Sequence, residues 1–114
     1  MTTTTPTAPL CLLTDIPDGG AVEVGALVHG ETESLLVYRH GDEARAYFNV
    51  CPHAGRRLDY APGKFLVRHG SIVCAAHGAC FTADSGECTQ GPCKGESLRS
   101  VAVEVTDGAV RLAA

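Results

Sequence analysis

The chain has 114 residues, 45% of them apolar, and 13 acidic against 9 basic side chains give it a formal charge of -4, which fits one small, mildly acidic domain. No apolar run approaches the roughly 20 residues that span a bilayer, and the first residues lack the basic start and apolar stretch of a secretory leader. The charge balance scarcely supplies the basic face that nucleic acid demands. The expectation is a cytoplasmic protein with no membrane and no nucleic-acid partner; its unusual features are six cysteines and the absence of tryptophan.

Residues 1–8 are rich in Thr and Pro with no apolar period, a composition that cannot offset its own ordering entropy, so they read as a tail before a domain over residues 9–114. From Leu35 the pattern becomes strand-like: residues 35–39, a turn at His40-Gly41-Asp42, then residues 44–50, with Ala46, Phe48 and Val50 alternating against Arg45, Tyr47 and Asn49. A second strand pair is predicted at residues 65–68 and 71–73 around His69-Gly70, and it runs into Cys74. The chain bends again near Asp84-Ser85-Gly86. Residues 101–105 and 110–112, separated by Asp107-Gly108, read as a closing hairpin. With 13 Gly and 6 Pro and no window holding a 3.6-residue apolar stripe, the predicted class is all-β, in short antiparallel strands. Residues 1–50 carry seven acids and two bases, whereas residues 51–114 carry six acids and seven bases.

Two cysteines are closely followed by histidine, in Cys51-Pro52-His53 and Cys74-Ala75-Ala76-His77, with 20 residues between His53 and Cys74. Each pair ends a strand-like run and is soon followed by glycine, Gly55 or Gly78, which lets backbone turn sharply beside a bound group. Two thiolates and two imidazoles suit either one tetrahedral zinc or a two-iron cluster with one ligand type on each iron. Structural zinc sites usually open on a knuckle of two cysteines; here each loop carries one Cys and one His.

These motifs, with Gly91-Pro92 beyond them, resemble the Rieske [2Fe–2S] family over residues 51–78, and the flanking hairpins extend the likeness to about 35–114. The resemblance implies a Rieske fold with a smaller cluster-binding lobe at about 49–94. It also implies one [2Fe–2S] cluster, with Cys51 and Cys74 on the inner iron and His53 and His77 on the outer. Gly91-Pro92 would belong to a third loop covering the cluster. High-potential members carry an extra cysteine in each ligand loop, where this chain has Arg56 and Ala76, so the loop-to-loop disulfide cannot form. They also carry serine and tyrosine hydroxyls that favour reduction, where this chain has Ala79 and Phe81. A potential at the low end of the range of about -150 to +300 mV is expected.

The implied role is a one-electron carrier, not itself an enzyme, monomeric, taking electrons from a flavin-dependent NAD(P)H reductase and passing them to a terminal oxygenase. The alternatives are a small subunit of a larger reductase of the nitrite-reductase type and a non-redox zinc module. The gap before Cys74 is longer than in dioxygenase ferredoxins, and the extra length is assigned to residues 60–64. Arg56 and Arg57 are candidates for steering an acidic partner face. Cys80 is expected to be a buried apolar residue, Cys88 and Cys93 free thiols, and Cys11 without a motif. His29, His40 and His69 are given no ligand role.

Overall fold

The structure, a computed structural model, describes residues 9–51, 57–61, 63–74, 78–91 and 95–113. These residues form three antiparallel sheets. The strands are β1 (Cys11–Leu12), β2 (Ala21–Val28), β3 (Glu31–His40), β4 (Glu43–Phe48), β5 (Leu66–Arg68), β6 (Ser71–Val73), β7 (Cys80–Thr82), β8 (Cys88–Gln90), β9 (Ser100–Val101), β10 (Val103–Thr106) and β11 (Ala109–Leu112). The sheet orders are β1-β11-β10, β2-β3-β4-β9 and β5-β6-β7-β8. A 3-10 turn, Leu13–Asp15, follows β1. Among the described residues no helix is long and apolar enough to cross a membrane.

The centre of the middle sheet is covered on both faces, and β3 shows why. Leu35, Leu36, Val37 and Tyr38 are all buried, although side chains alternate across a strand. Leu35 and Val37 join Ala44, Ala46, Ile16 and Val110 in one cluster against the three-stranded sheet. Leu36, Tyr38 and Tyr47 face the other way and join Cys51, Leu58, Ile72, Cys74, Phe81 and Leu98 in a second cluster. Cross-strand register keeps the two sets apart: Leu36 opposes Tyr47, and Val37 opposes Ala46. The middle sheet is therefore the shared wall between a base layer and the β5–β8 lobe.

Three two-residue turns place both central residues at positive φ, as a right-twisted hairpin requires: His29-Gly30 (52° and 83°), His69-Gly70 (49° and 77°) and Asp107-Gly108 (53° and 76°). The last two lie where the sequence places them. The first joins β2 to β3, so the middle sheet begins at Ala21, well before Leu35. The period in β2 is blurred because the face opposite Val22, Val24, Ala26 and Val28 carries Ala21, Glu23, Gly25 and Leu27, a mixture with no polar alternation.

The closing strand differs from expectation as well. It divides at Ala102: Val101 pairs with Ala46 in the middle sheet, whereas Val103 pairs with Leu112 in the base. In β4 and just beyond it, the expected inward and outward sets are mixed. Tyr47 and Asn49 are buried and Val50 is exposed, because the lobe covers the face opposite the base layer.

Candidate metal centre

Cys51 and Cys74 sit at the starts of two different loops, yet both side chains are wholly buried in the same cluster. The second loop is tied at its base. The Cys74 N–H donates to Ala79 O at 2.7 Å and the Gly78 N–H donates to Cys74 O at 2.9 Å, directly beyond the last β6–β7 pair, Val73 with Cys80. Gly78 takes φ +69°, the left-handed region, to complete this turn. A third segment closes over it. Gly91 (φ +100°) comes so near that a Cβ on it would lie 2.9 Å from Ala79 Cα. His53, His77, Arg56, Ala76, Pro92 and Cys93 lie outside the described residues.

The first loop is anchored by polar groups. Asn49, 2% exposed, is the one buried polar residue among those described. Its Oδ1 accepts the Leu58 N–H at 2.9 Å, drawing the chain after the loop back against the chain before it. No buried side-chain N or O among the described residues is unpaired. Arg57, expected to steer a partner, is committed internally: Nη2 lies 2.7 Å from both Glu23 Oε2 and Asp59 Oδ2, and Nε donates to Asp59 Oδ1 at 3.0 Å. A guanidinium shared by two carboxylates projects little net positive field, so the steering role is withdrawn for Arg57. The Arg57 hydrogen bonds hold the Asp59 carboxyl below the usual carboxylate range, and bonds first from Ser34 and then from Arg57 do the same for Glu23.

In the segment to which the extra length is assigned, the described residues Tyr60, Ala61, Gly63 and Lys64 are tied to one another and to Asp59. The Tyr60 N–H donates to Lys64 O at 3.0 Å, the Lys64 N–H to Ala61 O at 2.8 Å, and the Gly63 N–H to Asp59 Oδ2 at 3.0 Å. The other cysteines change places. Cys80 is only half-buried because β7 turns Phe81 inward, whereas Cys88 is buried, with its Sγ 3.2 Å from Gln90 O. Phe81 and Ala79 are both fully buried in the cluster that holds Cys51 and Cys74, and neither carries a hydroxyl. His29, His40 and His69 are exposed at hairpin ends.

Two thiols buried in the same apolar cluster from separate loops, with Gly91 packed closely on Ala79 beside the second, suit an iron–sulfur centre of an electron-transfer protein. The model of the Rieske [2Fe–2S] domain matches residues 7–106, and the chain belongs to that family. As a Rieske protein it holds one [2Fe–2S] cluster and transfers electrons; the buried thiol pair fits that group.

Solved structures agree. The chain is similar to the ferredoxin of carbazole 1,9a-dioxygenase from Nocardioides aromaticivorans IC177, at 28% identity and TM-score 0.72, covering 96% of this chain and 98% of that one. It is similar to the Sphingomonas yanoikuyae B1 ferredoxin at 25% identity and TM-score 0.70, with 95% and 98% covered. A chain from a complex of reduced oxygenase and oxidised ferredoxin in carbazole 1,9a-dioxygenase matches at 27% identity and TM-score 0.72, with 93% and 91% covered. No curated protein matches.

Proposed function

We propose that residues 9–114 form a monomeric Rieske ferredoxin that takes one electron from a flavin-dependent NAD(P)H reductase and delivers it to a terminal oxygenase. Cys51 and Cys74 would hold the inner iron and His53 and His77 the outer. The observation that carries this reading is the complete burial of Cys51 and Cys74, from separate stretches of chain, in the same apolar core cluster. The ferredoxins of dioxygenase systems to which the chain is similar over nearly their whole length support the choice of partners. When bound, the cluster supplies a one-electron site, and imidazoles on one iron raise its potential above that of an all-thiolate cluster. The chain's own part is to bury the thiols, which limits water at the sulfurs, and to omit hydroxyl donors at Ala79 and Phe81.

Anaerobically purified protein, reduced and examined by EPR, is expected to show the low-field-shifted Rieske signal. Cys51→Ser and His77→Ala are each expected to abolish it. Stopped-flow mixing with a flavin NAD(P)H reductase and then a ring-hydroxylating oxygenase tests the partners. A colourless protein with one zinc per chain would refute the redox reading, and a stable large complex isolated from the source would make the chain a reductase subunit.

A further inference from the structure

Five side chains close into a ring at the neck of the first ligand loop. Asn49 Nδ2 donates to Ser34 Oγ at 3.2 Å and to Asp59 Oδ2 at 3.4 Å. Ser34 Oγ donates onward to Glu23 Oε2 at 2.5 Å. Arg57 Nη2 completes the circuit, 2.7 Å from both Glu23 Oε2 and Asp59 Oδ2. Donors and acceptors match all the way round, so each bond can form without depriving another.

The ring stands where the sheet pairing runs out, leaving one main-chain bond from the Asn49 N–H to Ser34 O at 2.9 Å before the loop. The β3–β4 ladder ends at Leu35 opposite Phe48, and the next strand, β5, begins only at Leu66. Between them lies the loop that starts at Cys51, and ring members flank it on both sides: Asn49 before, Arg57 and Asp59 after. Glu23 and Ser34 supply the fixed wall, on the paired strands β2 and β3. The Asp59 side chain is 3% exposed and that of Arg57 is 52% exposed, so the guanidinium closes the ring from the solvent side.

We propose that Asn49, Arg57 and Asp59 are positioning residues for the cluster. By pinning both ends of the loop to β2 and β3 they hold Cys51 and His53 in place and govern how readily the cluster is released. The inference rests on the assignment of those two residues as ligands. Outer groups that orient metal ligands commonly change metal retention by about 10–100-fold when removed.

The test compares holoprotein variants by two readouts, chelator-driven bleaching of the visible absorption and the linewidth of the reduced EPR signal, at a temperature where all remain folded. Arg57→Gln, at a half-exposed site, is expected to bleach about tenfold faster and to broaden the signal, because the loop then samples several geometries. Arg57→Lys, which keeps the charge but not the fork, is expected to fall between. Tyr47→Phe is the control for general destabilisation: it removes a buried hydrogen bond in the same core, made to Ala83 O and not to a ring member. Bleaching and linewidth unchanged in Arg57→Gln would overturn the inference, as would Tyr47→Phe matching Arg57→Gln in both. A wild-type protein with no Rieske signal would overturn the ligand assignment itself, and the inference with it.

Discussion

Gly91→Ala tests how the third segment meets the chain that returns from Cys74 at Ala79. The backbone there has φ +100°, and the added Cβ would stand 2.9 Å from Ala79 Cα, 3.2 Å from Ala79 Cβ and 3.5 Å from Ala79 N. Two of those neighbours are backbone atoms, so no rotamer change relieves the clash. A positive φ costs an L residue about 1–2 kcal/mol, and overpacking a tight contact adds about 1–3 kcal/mol. At about 4 °C per kcal/mol for a domain of this size, the expected fall in melting temperature is about 8–20 °C. Gly70→Ala separates the two effects. Gly70 has φ +77°, and a Cβ added there would meet nothing within 4 Å, so it carries the conformational cost alone, about 4–8 °C. Calorimetry on the two holoproteins gives the comparison. Equal melting temperatures for Gly91→Ala and Gly70→Ala would show that the close approach to Ala79 does not exist.

Tyr47 donates to Ala83 O at 2.6 Å in the core, and burial pushes its phenol up to about 12, so it stays protonated at any working pH. Tyr47→Phe is expected to cost about 1–2 kcal/mol by urea titration, and a loss below about 0.3 kcal/mol would contradict that bond. Asp59 and Glu23 have carboxyls held below their ordinary values, so their contribution is present above the unfolded pKa and lost as pH falls through the folded one. Wild-type melting temperature should therefore fall as pH drops below about 4, and Asp59→Asn should flatten that slope; parallel slopes would count against the ion pairs. Introducing hydroxyls by Ala79→Ser with Phe81→Tyr is expected to raise the midpoint potential. Each bond favouring the reduced state by about 1.4 kcal/mol adds about 59 mV. An unchanged potential in a folded double variant would mean that these positions do not face the cluster.

The candidate ligand pairs were legible from the chain because their chemistry is local. A cysteine and a histidine two or three positions apart, twice, with a glycine close behind, needs no tertiary information to suggest a ligand pair. The hairpins at His69-Gly70 and Asp107-Gly108 were legible for the same reason, since turn type depends on adjacent residues. The β2–β3 hairpin carried an equivalent His29-Gly30 turn, and reading that dipeptide like the other two would have found it. The ring at Asn49 was not legible: its members come from four stretches of chain, and Arg57 in isolation looks like any surface charge.

Sequence alone thus determined the family, the all-β class and the four candidate ligands, because these follow from residue type and short spacing. Tertiary structure decided which described cysteine beyond the candidate ligands is buried, Cys88 rather than Cys80, and that Arg57 is spent on Glu23 and Asp59. It also decided that the centre of the middle sheet, along β3 and β4, is buried on both faces. Alternation in a sequence reports burial only where one face of a strand meets water; with the base layer on one side and the lobe on the other, Leu35 to Tyr38 and Tyr47 carry no such contrast. The -4 charge divides in the same way: its sum is a matter of composition, but which charges face a partner is set by the pairs that folding makes.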